Sequence, residues 1–226
     1  MLTIYNDQHT LHQGKVEMFR GELVPCFEVP ARVDHVKHEL ERRGLGPLQV
    51  PDAFDEALLA RVHAPRYLDF IAHAWDEWVA LDPSNASRDA LPSYWPTRGM
   101  RTDVLPKSFP ARMGLFSFDA GTPLMAGSWA AARHGAACAW TAAQRVAGGE
   151  RAAFALTRPP GHPMRAPISS AATASSTTPP WPRRRCAMRA WRAWRCSTWT
   201  TTTATARRPS STSAATCILR ACMAIR

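Results

Sequence analysis

The residues best suited to chemistry stand in one stretch, Arg158-Pro159-Pro160-Gly161-His162-Pro163. A histidine after a stiff Pro-Pro-Gly turn can serve as general acid or base, since imidazole exchanges its proton near neutral pH. Pro-Pro-Gly-His is equally an ordinary turn signal, so His162 needs support from its surroundings before it counts as a site. His9, His12, Glu17 and Glu22 are gathered in one polar N-terminal segment, as an entry loop or as plain solvated positions. Asp119 sits in Phe118-Asp-Ala-Gly-Thr-Pro123, where a turn-forming aspartate is at home. Cys26 and Cys138 read as structural thiols.

These residues need elements to hold them. Residues 2–5, Leu-Thr-Ile-Tyr, have the composition of a first strand. Residues 6–30 follow as a polar loop punctuated by Gly and Pro. Over residues 31–44, Val33, Val36 and Leu40 share one face of an amphipathic helix, with Gly44 at its C-cap. Residues 51–62 read as a second helix and 67–79 as a third, with Leu68, Ile71, Ala72 and Trp75 at helical spacing. Residues 82–110 read as a long loop, a length that usually carries function. An alanine-rich helix over 127–146 stops at Gly148-Gly149, and the strand 153–156 runs straight into Arg158. Helix, glycine stop, strand and loop is the rhythm of an α/β sheet, whose sites gather at the carboxyl ends of strands.

After His162 the composition changes. The 64 residues from Pro163 hold eleven Arg and no Asp, Glu, Lys, His or Gly, whereas residues 1–162 carry a net charge of −1. The formal +10 of the whole chain therefore belongs to the tail. Cys186, Cys196, Cys217 and Cys222 lie there too, leaving no disulfide framework in the first part. The tail shows no caps, no glycine turns and no lasting amphipathic period, so an irregular segment or incidental helix is expected. The N-terminus has no basic region leading into an apolar one, and no apolar run approaches the ~20 residues of a membrane helix. A cytoplasmic protein without membrane contact is the expectation.

Residues 1–162 resemble the acetylpolyamine amidohydrolases of the histone deacetylase superfamily. The resemblance rests on Gly21-Glu-Leu-Val-Pro-Cys-Phe-Glu28, Val62-His63 with Tyr67-Leu68, Phe118-Asp-Ala-Gly-Thr-Pro123, Gly127-Ser-Trp129 and Ala153-Phe-Ala-Leu-Thr-Arg-Pro-Pro-Gly-His162. It implies an arginase/deacetylase-like α/β fold, a parallel sheet with flanking helices, here incomplete. It also implies zinc-dependent hydrolysis of an acetylated polyamine or an acetyl-lysine-like amide. In that family the loop continues RPPGHHA, and the tandem imidazoles bind and deprotonate a water on zinc. His162 would be the first of the pair, and Asp119 would stand at the channel rim, where a carboxylate suits a polyamine cation. Pro163 stands where the second histidine belongs. The family's later motifs, GGYCFLNNAAVAA and VLDVDYHHGNGTQ, the latter supplying a zinc aspartate and a zinc histidine, are missing as well. The resemblance therefore implies zinc in the family but none bound by this chain.

The tail carries a second reading. When each codon is rebuilt from the last base of one tail codon and the first two of the next, a Thr codon permits only Asp, Asn, His or Tyr. Thr200, Thr201, Thr202 and Thr203 then permit DYHH. Trp199 has the single codon TGG, which forces Asp at the next position, and Met223 likewise forces Gly. In the same register residues 172–182 permit GYCFLNNAAVA, residues 196–207 permit VLDVDYHHGNGT, and residues 221–226 permit SLHGDP. The expected division is thus residues 1–162, the N-terminal part of a deacetylase-like domain, and residues 163–226, an out-of-frame tail without a fold of its own.

Two other functions follow from the same residues. Arg183-Arg-Arg185 and the Arg/Trp alternation up to Arg195 have the chemistry of a non-specific nucleic-acid patch, cations for phosphates and indoles for stacking. In that case the chain is a basic interaction protein for nucleic acid or an acidic partner. A homodimer-forming fragment that keeps only the N-terminal surface is the third reading.

Overall fold

The computed structural model describes residues 1–97, 100–117, 119–160, 194–200 and 217–223. A three-stranded sheet lies at its centre, in the order β4-β1-β5. β1 (Leu2–Tyr5) pairs in parallel with β4 (Leu48–Gln49) on one edge and with β5 (Ala153–Leu156) on the other. Side chains alternate across a strand, and here each face meets a helix. Leu2, Ile4, Ala153 and Ala155 pack against Cys138 and Ala142 of α4 (Ser128–Ala147). Phe154 and Leu156 pack on the opposite side against Val33 and Leu40 of α1 (Ala31–Arg42). The small residues of β5 thus face the alanine-rich helix and its large ones face the other, so both layers close at helix–sheet distance. The expected parallel sheet with flanking helices is present.

A second core lies beside the sheet. α2 (Pro65–Leu81) begins with proline in its first turn, where a missing N–H costs nothing. Its Tyr67, Phe70, Ile71 and Ala74 bury against Phe109 and Met113 of α3 (Phe109–Leu115) and against Phe116 and Leu124. The Phe70 and Phe116 rings stack at 4.9 Å between centroids.

The structure corrects three local expectations. Residues 6–30 are not all loop: β2 (Val16–Phe19) and β3 (Glu22–Pro25) form an antiparallel hairpin. Its two-residue turn has positive φ at Arg20 (53°) and Gly21 (87°), the twist that suits a tight hairpin. The helix expected over 51–62 shrinks to a 3-10 segment, Glu56–Arg61, capped by Asp55 Oδ1 accepting from Ala57 N at 3.0 Å. Its first residues are held elsewhere, since Asp52 N donates to Thr141 Oγ1 at 3.0 Å and Asp52 pairs with Arg145 at 2.9 Å. The long loop is interrupted by a 3-10 segment, Pro83–Ser87, and ends in α3.

In the tail the described residues are strands where irregular chain or incidental helix is expected. β6 (Trp194–Thr200) and β7 (Cys217–Met223) pair in parallel as a separate two-stranded sheet. No helix among the described residues is long and apolar enough to cross a membrane.

Gly46 shows how tightly β1 is held. Its φ is 126°, and an added Cβ would lie 2.3 Å from the Met1 carbonyl oxygen, next to the terminus that donates to Leu45 O at 2.8 Å. Gly44, with φ 57°, faces open space. Gly44→Ala should cost about 1–2 kcal/mol, the ordinary left-handed penalty. Gly46→Ala should cost at least about 3 kcal/mol, because strain and collision add. Urea unfolding of both variants checks this; equal costs would contradict the close approach.

Candidate functional site

The carboxyl ends of β1 and β5 meet at two fully buried polar residues, Asn6 and Arg158. Asn6 follows β1 directly. Its backbone N–H donates to Leu156 O at 2.9 Å, and its Nδ2 donates to Ala131 O at 2.8 Å and to Arg158 O at 2.7 Å. Its Oδ1 accepts from Gln8 N at 3.0 Å. One side chain thereby joins β1, α4 and the loop leaving β5.

Arg158 extends that joint to the N-terminal loops. Its Nε donates to Glu28 Oε1 at 2.7 Å and its Nη2 to Glu28 O at 2.7 Å. Nη1 donates to His9 O at 2.8 Å and also to His12 O. Four of the five guanidinium N–H donors are therefore used. Arg32 Nη1 lies 3.2 Å from Glu28 Oε2 and shares the carboxylate. Burial raises the Glu28 pKa despite both arginines, and burial lowers that of Arg158 despite Glu28. Desolvation thus outweighs attraction on both partners, so the pair fixes geometry more than it adds stability.

His9 and His12 are buried, not solvated. The His12 imidazole shares a 2.9 Å hydrogen bond between its Nδ1 and Ser128 Oγ, and Ser128 Oγ also accepts from Met125 N at 3.0 Å. Burial, with Arg158 nearby, holds the His12 pKa at about 3. His9 is also lowered by burial, against the pull of Asp34, whose Oδ1 lies 3.5 Å from its Nε2. Burial likewise holds His63 at about 4. His12 and His63 are therefore not set up to accept a proton near neutral pH.

Asp119 closes a turn, with Oδ1 accepting from Gly121 N at 3.1 Å and from Thr122 Oγ1 at 3.2 Å. The same turn meets the hairpin where Met18 N donates to Ala120 O at 3.2 Å. Glu17, on that hairpin, has its pKa raised by burial and by the nearby Asp119 charge, and its Oε2 accepts from Phe27 N at 3.2 Å. Glu22 stays exposed on β3. The structure therefore brings Glu17 and Asp119 together and leaves Glu22 apart.

His162 and Pro163 lie outside the described residues, as do residues 183–193 of the Arg/Trp stretch. Burial raises the thiol pKa of Cys26 to about 11 and pushes that of Cys138 up further, which keeps both protonated and unreactive. Among the described residues, no group of three or more His, Cys, Asp or Glu side chains could hold a metal ion. Zinc chemistry therefore finds no ligand set there.

Parallel strands covered on both faces, with a proline-rich loop leaving a strand's carboxyl end, make an α/β domain. Residues 26–166 match the histone deacetylase domain, and the chain belongs to that family. Acetylpolyamine amidohydrolase 2 of Pseudomonas aeruginosa is 41% identical over 162 residues, covering 72% of this chain and 46% of that protein. The acetylpolyamine amidohydrolase of Mycoplana ramosa is 33% identical over 163 residues, 72% and 46% of the two chains. The crystal structure of acetylpolyamine aminohydrolase from Burkholderia pseudomallei superposes with a TM-score of 0.67 at 29% identity, covering 75% of this chain and 48% of that one. The chain spans about half the length of the curated relatives it matches.

Two outcomes are expected. Arg158→Ala should lower unfolding free energy by about 3–5 kcal/mol, because it leaves Glu28 with Arg32 alone and takes the donor from the carbonyls of His9, His12 and Glu28. Glu28→Gln should cost less, about 1–3 kcal/mol. Urea unfolding gives both numbers, and the reverse order would sink the assignment of Arg158 as the tie. The second outcome concerns pH. His12 and His63 have folded pKa values of about 3 and about 4 against 6.5 for the free side chain. Depressed values leave stability intact above pH ~6.5 and erode it as pH falls toward the folded values, by up to ~1.4 kcal/mol per unit for each imidazole. His12→Gln should flatten the slope of stability between pH 6 and 4; an unchanged slope would remove His12 as a cause.

Proposed function

We propose that residues 1–162 are the N-terminal half of a zinc-dependent amidohydrolase acting on acetylated polyamines or related acetylated amines. On this reading the frame shifts at or beside His162–Pro163, and the chain as written is truncated in function and inactive. The carrying observation is where the family match stops. It ends at residue 166, beside the point where composition changes, while the second reading of the tail permits the family's later motifs in one register.

The geometry supports this at the level of the loop. Arg158 and Asn6 pin the start of the segment leading to His162, which would be the first histidine of the family's tandem pair. Glu17 and Asp119, near enough for the Asp119 charge to act on Glu17, present two carboxylates that would attract a cationic amine substrate. A catalytic zinc supplies Lewis acidity and an activated water when it is bound. Its ligands would have to come from the continued frame, so no step of the reaction is assigned to residues of this chain. The out-of-frame tail accounts for the basic charge, and a cytoplasmic location suits the enzyme class.

Nucleotide sequencing is the first test, since third bases that forbid the second reading would end the proposal. The gene with its frame restored should yield a protein holding about one zinc per chain and hydrolysing an acetylated polyamine. The chain as written should do neither. A restored protein without zinc and without turnover would overturn the reading.

A further inference from the structure

The outer edge of the β2–β3 hairpin is held by a side chain. With a two-residue turn, Phe19–Glu22 and Glu17–Val24 are the pairs that exchange both ladder hydrogen bonds. The N–H groups of Val16 and Met18 therefore point away from β3. Met18 N donates to Ala120 O at 3.2 Å, in the turn that carries Asp119. Val16 N donates to Asp89 Oδ2 at 3.2 Å, and Lys15 N donates to the same oxygen. Glu17 thus lies between two anchored residues. Asp89 is itself fixed against the Asp119 turn, because its neighbour Ala90 exchanges two 2.9 Å hydrogen bonds with Leu124. Lys15 Nζ adds a bond to Ser87 O at 2.7 Å, two residues before Asp89.

The segments are close-packed where β2 begins. An added Cβ at Gly14 would lie 2.6 Å from Pro123 Cγ and 2.7 Å from Cys26 Sγ. Apolar contact of this kind brings chains together but leaves their register permissive. A charged acceptor on two backbone N–H groups is not permissive, since such bonds are short, strong and directional. We propose that Asp89 is a positioning residue, whose carboxylate sets the register of β2 so that Glu17 stands beside Asp119. The proposal rests on the reading of that pair as the carboxylates that attract a cationic amine. Asp89 acts through Glu17 and not on the amine itself.

NMR across pH on the full chain, labelled with 13C-glutamate, follows the Glu17 carboxyl carbon, assigned with Glu17→Gln. Burial raises Glu17 first and the Asp119 charge adds to it, against the Phe27 N–H and Arg32. Asp119→Asn should therefore lower the Glu17 midpoint. In Asp89→Ala the midpoint should fall, and the response to Asp119→Asn should be lost. Asp89→Asn keeps an acceptor oxygen for the two N–H groups and should restore both. An Asp89→Ala chain with unaltered midpoint and response overturns the proposal. So does an Asp89→Asn chain that behaves like Asp89→Ala, which marks a charge effect through space instead of positioning. Should Asp89→Ala unfold, hydrogen exchange on the unaltered chain decides. The Val16 amide should then exchange as slowly as that of Met18, within about threefold, and a Val16 amide exchanging like open loop overturns the proposal. In the frame-restored enzyme, Asp89→Ala should raise KM for an acetylated diamine about tenfold and leave KM for an uncharged acetamide within about twofold. An inactive restored enzyme, with Glu17 and Asp119 still coupled through Asp89, removes only the functional reading. An active one in which Asp89→Ala changes neither the titration nor KM removes only the positioning role.

Discussion

A fully buried guanidinium with most of its hydrogen bonds satisfied is the constraint on which this architecture turns. Taking Arg158 out of water costs several kcal/mol, and Glu28 alone does not return it, as the opposed shifts of both pKa values show. The remaining compensation comes from the carbonyls of His9, His12 and Glu28. Those carbonyls accept only if the N-terminal loop curls back over the carboxyl end of β5. A hydrophobic residue at 158 could fill the volume but would not dictate that curl. The guanidinium thus turns segments about 130 to 150 residues apart into one joint.

Asn6 makes the same kind of demand one layer in. It occupies the turn from β1, and its amide can satisfy Ala131 O and Arg158 O together only when α4 and β5 stand in their observed places. The apolar layers on either side are permissive by comparison, since Ala, Leu and Phe pack wherever volume allows. Polar groups that must find a partner are not permissive. Register at this end of the sheet follows from two residues, and the helices follow from burial.

Much of this was readable beforehand, and the exceptions share a cause. α1, α2, α4, β1 and β5 announce themselves by period and by stops such as Gly148-Gly149. The hairpin β2–β3 was hidden because its turn is Arg20-Gly21, with an arginine where asparagine or aspartate gives the usual signal. The helix expected over 51–62 fails for a tertiary reason, the capture of Asp52 by Thr141 and Arg145 of α4, which no local window contains. His9 and His12 looked like solvated loop residues because burial by a returning loop leaves no periodic trace. Arg158 was visible as part of a motif, but its partner Glu28 was not, since nothing in a loop glutamate tells of an arginine 130 residues away.

The same long-range dependence separates fold information from ligand information. In parallel α/β sheets the reacting groups converge from the carboxyl ends of several strands. In this sheet the described strands are β1, β4 and β5, and their carboxyl ends contribute Asn6 and Arg158, residues that hold backbone in place. Fold information is distributed along the chain in pieces that can be locally satisfied, as the closed layers around β5 show. Ligand information is distributed across strand ends and is satisfied only jointly. Packing, capping and loop anchoring around β5 are therefore recognisable from these residues alone, whereas a ligand set draws on the ends of several strands at once.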